Sequence, residues 1–178
     1  PTLLLDLPYQ PGPSHNGGAM TIGPDQNLYL TVGGLIPTSY GQGDYRFKVQ
    51  NYEDGQESDG RAGILRVTQD GGIVKGLIGD KYPDDMYYAY GIRNSFGIAF
   101  DPVTGKLWDT ENGGRDEINL VEPGFNSGWE KVQGIWILNQ TREKDGILNE
   151  SSKEVEFVNF NGKGKYSKPE FVWDKTVA

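Results

Sequence analysis

Six short runs with strand-like character, each bounded by Gly, Pro, Asn or Asp, dominate this sequence. Runs of this kind, at spacings of roughly 8 to 12 residues with turn residues between them, are typical of sandwiches, barrels and propellers. No window keeps the 3.6-residue period of an amphipathic helix over about 11 residues or more. The sequence therefore predicts an all-β chain, with strands at residues 27–32, 63–67, 97–100, 107–111, 117–121 and 155–160.

A loose internal repeat favours the propeller among these folds. Residues 23–33 and 100–113 share a turn rich in Gly, Pro and Asp, then an alternating strand that holds an aromatic residue, then glycine. The second copy forms the centre of a predicted β-hairpin, whose turn lies at 101–106. A four-stranded blade takes about 40 to 50 residues, so we expect three or four blades from this chain.

Two polar segments are predicted to be loops with no role in the core. They lie at residues 38–61 and 139–153, and the second contains Asn-X-Ser/Thr sequons at Asn139 and Asn149. Such triplets also arise by chance, so glycosylation is left open.

Charge and composition exclude several classes of function. With 17 Lys and Arg against 25 Asp and Glu, the formal net charge is −8, which repels phosphate backbones and argues against nucleic-acid binding. No run approaches the roughly 18 to 20 apolar residues of a membrane span. The absence of Cys removes thiolate nucleophiles and zinc–thiolate sites, so redox chemistry requires an organic cofactor or a metal on oxygen ligands. The chain begins with Pro-Thr, and we expect its natural N-terminus, with any signal peptide, to lie upstream.

The single histidine, His15, lies in a Gly-rich loop just before a predicted strand. An imidazole there can act as a general base, because it titrates near neutrality and the loop admits a substrate closely. The alternative is an exposed or structurally hydrogen-bonded histidine. A serine-hydrolase triad is disfavoured, since Ser14 adjoins His15 in sequence and no nucleophile elbow is present.

A second candidate is the pair Arg93 and Asn94, held between Gly91 and Gly97. The planar guanidinium suits carboxylates and quinone-like oxygens, and the neighbouring amide adds a donor and an acceptor. The alternative is an arginine that pairs with a nearby carboxylate and has only a structural role.

The third candidate is the turn from Asn112 through Gly113 and Gly114, followed by Asp116. Carboxylates and main-chain carbonyls are the oxygen ligands that Ca²⁺ prefers, although the spacing does not match an EF-hand. The alternative is a solvated hairpin turn. A fourth motif, at 123–129, is interpreted as a turn fixed by a buried indole, that of Trp129.

Together these motifs resemble the soluble quinoprotein glucose/sorbosone dehydrogenase family, the pyrroloquinoline quinone (PQQ) dependent aldose sugar dehydrogenases. The resemblance covers residues 15–33, 63–71, 88–113 and 116–129, and it is thinner from 130 to 178. The family fold is a six-bladed β-propeller. The resemblance therefore implies that residues 1–178 form one partial propeller domain, with later blades supplied by further sequence or by a second chain.

The resemblance also implies a reaction. His15 matches the general base that takes the proton of the anomeric hydroxyl while hydride passes from C1 of an aldose to PQQ. Arg93 matches the arginine near the quinone oxygens, and Asp116 matches an acidic residue near the sugar. These three residues are the predicted catalytic group.

Cofactor contacts are implied for Arg93, Asn94 and Asn112, and the main-chain oxygens of Gly113 and Gly114 match those that hold a catalytic Ca²⁺. The cofactor-clamping Lys and Arg residues of the family come from later blades. Glucose dehydrogenases of the family have an acidic residue before the histidine, whereas this chain has Ser14. The resemblance further implies a periplasmic or extracellular location.

Two other functions remain open from the sequence. A non-catalytic binding propeller would tolerate loss of His15 and Arg93. A Ca²⁺-dependent propeller lactonase would need several carboxylate and Asn side chains converging on one metal in the central channel.

Overall fold

The computed structural model describes residues 3–7, 14–35, 46–75, 77–138, 144–147 and 155–174. Within these ranges the regular structure is β-strand, apart from two single-turn 3-10 helices at Lys48–Gln50 and Asp84–Met86. No helix in these ranges has the length and apolar character needed to cross a bilayer. The strands are β1 Met20–Ile22, β2 Leu28–Val32, β3 Gly63–Val67, β4 Tyr87–Tyr90, β5 Ser95–Phe100, β6 Leu107–Glu111, β7 Arg115–Val121, β8 Phe125–Asn126, β9 Val132–Gln133, β10 Trp136–Leu138, β11 Lys144–Ile147, β12 Lys165–Tyr166 and β13 Phe171–Asp174.

The strands form three sheets. One has the order β13-β7-β6-β5 and is antiparallel throughout, which is the size and pattern of a propeller blade. A six-stranded sheet has the order β1-β2-β3-β4-β8-β12, antiparallel as far as β4 and parallel beyond it. The third has the order β11-β10-β9. The prediction of an all-β chain is confirmed.

Two hairpins with equivalent sequence patterns pack side by side. They are β1–β2 and β5–β6, and the ring of Tyr29 meets that of Phe100 edge to face at 4.9 Å. Each hairpin is followed by a Gly-Gly pair, at 33–34 and at 113–114. The turn of β5–β6 lies at the end of the hairpin remote from Gly113, and there Asp101 accepts hydrogen bonds from Val103 N and Thr104 Oγ1. The predicted hairpin is confirmed.

The predicted strand at 155–160 is wrong. Alternation is present there, but the segment joins no ladder, and Phe160 and Asn161 adopt left-handed φ angles of 47° and 58°. The segment contacts the core through Val158, whose carbonyl accepts a hydrogen bond from the buried hydroxyl of Tyr90, and through Phe160, whose ring meets that of Tyr90 edge to face.

The predicted loops also need correction. The described part of 38–61 contributes Phe47 and Val49 to the core, because its 3-10 turn folds them against β3 and β4. In 139–153, residues 144–147 form strand β11. The sequons at Asn139 and Asn149 lie outside the described residues.

Candidate functional site

Arg93 and Asn94 connect the two Gly-Gly turns. Gly34 N donates a hydrogen bond to Arg93 O at 2.9 Å, and Asn112 N donates to Asn94 O at 2.9 Å. The guanidinium of Arg93 then reaches the second turn, where its Nη1 donates to Asn112 O at 2.5 Å. The main chain of both turns therefore fixes this pair between the ends of two equivalent hairpins.

The loop that carries His15 packs against Leu35 and Asn94, beside the first Gly-Gly turn. Leu35 N donates to His15 O at 3.1 Å, and Gly17 N donates to the buried side chain of Asn94 at 3.2 Å. Both His15 and Arg93 are half-buried. A Cβ atom on Gly33 would overlap His15 O and would lie 3.0 Å from Arg93 O. The structure thus brings the main chains of His15 and Arg93 together around one glycine.

A buried carboxylate that the sequence analysis did not single out supports Arg93. Glu111 ends β6, is 3% exposed, and accepts a hydrogen bond from Arg93 N at 2.7 Å. Its other oxygen accepts hydrogen bonds from Ser127 Oγ at 2.5 Å and Asn119 Nδ2 at 3.2 Å. Glu111 therefore holds the backbone of the arginine against β7 and the loop after β8.

Trp129 packs against the same guanidinium. Its indole is 4% exposed, which agrees with the interpretation of a buried indole, and Arg93 Cζ lies 5.3 Å from the ring centroid. A cation over an indole face is attracted by the ring quadrupole. Arg93 is thus restrained by a carbonyl on one turn and by an aromatic face.

Three acidic side chains lie together between β6 and β7. Glu111 is directly opposite Glu117, and Asp109 is opposite Asn119, so that all four share one buried face. Burial raises the pKa of Asp109 to about 7, although a hydrogen bond from Ser95 opposes this shift. Burial raises the pKa of Glu117 to about 8, and burial together with the charges of Glu117 and Asp109 raises that of Glu111.

This cluster predicts that the protein is less stable at higher pH. Asp109 keeps its proton in the folded state while the unfolded chain loses it above about pH 4, so the free energy of unfolding falls between about pH 4 and pH 7. We expect Asp109→Asn to remove the part of this pH dependence that the Asp109 carboxyl causes, which is at most about 1.4 kcal/mol of unfolding free energy per pH unit. The same substitution is expected to stabilise the protein at pH 8. Urea unfolding at pH 5, 6, 7 and 8 measures this.

Asp101→Asn is the matched control. Asp101 lies in the exposed hairpin turn, where the hydrogen bond from Thr104 lowers its pKa. Its contribution to stability therefore changes only below about pH 4, outside the window. An Asp109→Asn profile parallel to that of the wild type from pH 5 to pH 8 would contradict the prediction.

Asp116 clamps the second turn. Its Oδ1 accepts hydrogen bonds from Gly113 N at 2.9 Å and from Asn112 Nδ2 at 3.4 Å. Gly114 N donates to Gln133 Oε1 at 3.0 Å, and Gly114 O accepts from Arg115 Nη1 at 3.3 Å. The turn is thus fixed on both sides by side-chain oxygens.

The donors at this turn fit a calcium ion poorly. In the part of the chain that the structure describes, no group of three or more His, Asp or Glu side chains could hold a metal ion. The Gly114 oxygen faces a guanidinium, whose positive charge opposes a cation at that atom. A quinone meets no such opposing charge, because the half-buried guanidinium of Arg93 reaches the same turn and donates to Asn112 O.

A cavity of about 200 Å³ opens beside the turn. It brings two predicted residues, Asn112 and Asp116, together with two aromatic rings that the sequence analysis did not assign to a site. The complete lining is Phe96, Thr110, Glu111, Asn112, Asp116, Glu117 and Trp173. Neither His15 nor Arg93 lines this cavity. Trp173 could have been found from its pairing with Asp116, but only once β13 was placed beside β7.

A larger cavity, of about 500 Å³, lies elsewhere. It is lined by Asp84 and by residues 158–161 among others, and it contains no predicted site residue. The smaller cavity, in contrast, is lined by the predicted residues Asn112 and Asp116. The smaller cavity is therefore the one associated with the candidate site.

Two sugar dehydrogenases are similar in sequence to this chain. The chain is 36% identical over 143 residues to quinoprotein glucose dehydrogenase B of Acinetobacter calcoaceticus, covering 74% of this chain and 29% of that protein. It is 29% identical over 132 residues to the aldose sugar dehydrogenase YliI of Escherichia coli, covering 72% of this chain and 32% of that protein. The chain thus spans roughly a third of the length of these curated relatives.

Structural comparison supports the same family. The PQQ-bound aldose sugar dehydrogenase of Streptomyces coelicolor matches 95% of this chain and 38% of its own, with a TM-score of 0.58 and 27% identity. The predicted fold class, part of a six-bladed β-propeller, is confirmed by this likeness. The sequence profile of the family described as Glucose / Sorbosone dehydrogenase matches residues 2–178. This chain therefore belongs to the glucose/sorbosone dehydrogenase family.

Proposed function

We propose that the protein containing this chain oxidises aldose sugars at C1 and passes the hydride to PQQ. The observation that carries the proposal is the meeting of His15, Arg93 and Asn112 at the two Gly-Gly turns, although these residues are far apart in sequence. Relatives of this chain are named as glucose and aldose sugar dehydrogenases, which supports the same chemistry here.

His15 is the proposed general base. A sugar hydroxyl must lose its proton as hydride leaves the same carbon, and a positioned imidazole accepts such a proton directly. His15 lies in a Gly-rich loop, and the hydrogen bond from Leu35 N to His15 O fixes its main chain. The proton of the anomeric hydroxyl thus passes to the imidazole.

Arg93 is the proposed electrostatic partner. When bound, PQQ supplies the oxidant, a planar quinone that takes up two electrons as hydride. The role of Arg93 is to place fixed positive charge where negative charge develops, and a guanidinium held by Asn112 O and Trp129 needs little reorganisation to do so. Asn94 and Asn112 complete the proposed cofactor contacts.

Asp116 and Trp173 are proposed to face the sugar. A carboxylate accepts hydrogen bonds from hydroxyl groups, and an aromatic face covers the C–H surface of a pyranose ring. Both residues line the 200 Å³ cavity, where their strands pair in direct register.

The proposal that calcium binds the main-chain oxygens of Gly113 and Gly114 is based on the family resemblance. Gly114 O accepts a hydrogen bond from Arg115, so a cation there requires that guanidinium to move away. We therefore assign no step of the reaction to the ion.

Further blades or a second chain are proposed to complete the ring. Strand β1 is an edge strand of its sheet, and it exposes Met20 by 66% and Ile22 by 53%. Apolar side chains on an open strand edge favour association with another strand or sheet. On the same family resemblance, we propose a periplasmic or extracellular location.

Dye reduction by the complete polypeptide tests the proposed function. The protein is loaded with PQQ, with and without Ca²⁺, and offered a panel of aldoses. Activity is expected with free aldoses and not with their methyl glycosides, which lack the anomeric hydroxyl. Loaded protein that is inert with every aldose, or equally active with glycosides, would reject the proposal.

A further inference from the structure

Two consecutive residues at the end of β6 hold both ends of Arg93. The carboxylate of Glu111 accepts a hydrogen bond from the main-chain nitrogen of Arg93 at 2.7 Å. The main-chain oxygen of the next residue, Asn112, accepts one from the guanidinium at 2.5 Å. A closed ring of contacts therefore runs from the backbone of Arg93 to its charged group, and a single side chain, that of Glu111, supplies one of its two acceptors.

Glu111 is itself firmly placed. In the sheet it pairs with Ser95 on β5 and with Glu117 on β7, and its side chain is 3% exposed. The oxygen that does not face Arg93 accepts hydrogen bonds from Ser127 Oγ and Asn119 Nδ2. A buried carboxylate with donors on both of its oxygens has little freedom to turn, so its position fixes the position of Arg93 N.

We propose that Glu111 is a positioning residue for the oxidation, which acts through Arg93 and touches neither sugar nor quinone. This inference rests on the proposed function. Fixed charge stabilises a transition state most when the charged group is held in place beforehand. Glu111 holds the backbone from which the guanidinium extends, while Asn112 O and Trp129 hold the guanidinium itself.

Glu111→Leu is the direct test, because leucine has a similar volume and no acceptor. In the complete, PQQ-loaded protein we expect kcat for glucose to fall about tenfold, or about 1.4 kcal/mol of activation free energy, with KM nearly unchanged. The loss is limited because Asn112 O and Trp129 still restrain the guanidinium. Dye reduction measures both constants.

Glu111→Gln is expected to restore most of the activity. Its amide oxygen can accept from Arg93 N, and its amide nitrogen then faces Ser127 and Asn119. Among the described residues, none donates a hydrogen bond to the buried Oδ1 of Asn119, so that oxygen can accept from the new amide after the Asn119 side chain rotates. Rescue by glutamine separates the loss of an acceptor from the loss of a carboxylate.

Asp109→Leu is the matched control. Asp109 is fully buried on the same face of β6, where it accepts a hydrogen bond from Ser95 Oγ instead of from Arg93. This substitution is expected to disturb the buried face without moving Arg93, so kcat stays near that of the wild type. Thermal unfolding of each variant defines the temperature at which both are folded and compared.

Arginine labelling separates this inference from the proposed function, because it requires no turnover. Phenylglyoxal is applied to the complete polypeptide before PQQ loading, and modification of Arg93 is followed by peptide mass spectrometry. Arg46, whose side chain is 49% exposed, is the internal standard. We expect Arg93 to react several-fold faster in Glu111→Leu than in the wild type or in Asp109→Leu. If the wild type oxidises no aldose, the proposed function fails, whereas faster labelling still supports the hold of Glu111 on Arg93.

Four results would overturn the role of Glu111. They are equal losses of kcat in Glu111→Leu and Asp109→Leu, a glutamine variant as impaired as the leucine variant, a raised KM with unchanged kcat, which would place Glu111 against the sugar, and unaltered labelling of Arg93. If Glu111→Leu does not fold, Glu111→Asp gives the same comparison, because its carboxylate is one methylene shorter and cannot reach Arg93 N and Ser127 together.

Discussion

Replacement of His15 by alanine is expected to lower kcat for aldose oxidation by about 10²- to 10⁴-fold, the usual contribution of a general base. His15 is the single histidine of this chain, so no neighbouring imidazole within it can substitute. Because a general base acts in the chemical step, the loss is expected in kcat. Steady-state dye reduction at saturating PQQ measures it.

Added imidazole should restore part of the activity of His15→Ala, because a free base can enter the space left by the side chain. Ser14→Ala, at the neighbouring half-buried position, is the control and should retain activity. A His15→Ala protein within threefold of the wild type would remove His15 from the mechanism.

The second large effect is expected from Gly33→Ala. A Cβ atom there would overlap His15 O, and it would lie 2.7 Å from His15 C and 3.0 Å from Arg93 O. These are backbone atoms, which cannot rotate away, so the two proposed catalytic residues must separate. A displacement of about 1 Å costs on the order of 10²-fold in rate. We expect kcat/KM to fall by that factor.

Gly34→Ala provides the graded control. Its added Cβ would meet only the ends of side chains at comparable range, Gln50 Nε2 at 3.2 Å and Trp129 Nε1 at 3.3 Å, with Arg93 O at 3.6 Å. A small shift of side chains accommodates it. Dye reduction together with thermal unfolding separates loss of activity from loss of fold. Equal effects of the two substitutions would contradict the proposed arrangement around Gly33.

The parts of the fold that sequence predicted are those specified by local alternation and turn chemistry. The strand 107–111 ends where expected because it is bounded by Gly105 and by the Asn112 turn. The segment 155–160 has the same alternation but lacks a partner, and its end enters a left-handed turn at Phe160. Pairing between distant strands is not encoded in a local pattern.

The candidate site, too, could be predicted from the sequence only where a local pattern marks its residues. His15 and Arg93 could be singled out because glycine-rich loops with one chemically capable side chain are conspicuous in a sequence. Asp109 and Glu117 could not, since acidic residues at alternate strand positions usually face water, whereas here both are buried. Glu111 acquires its role only through contacts with Arg93, Asn119 and Ser127. Whether Asp116 contacts sugar stays a prediction, because its observed contacts are with the turn.

The β5–β6 hairpin keeps the proposed chemistry and its connecting turn at opposite ends of the same strands. Asn112 follows one end, whereas Val103, 90% exposed, marks the other. The turn is therefore a natural place to insert an affinity tag or a tether to an electrode surface. Such an attachment leaves the hydrogen bonds around Arg93 and Asn94 untouched, and it orients the immobilised molecule with its substrate-facing end toward bulk solution.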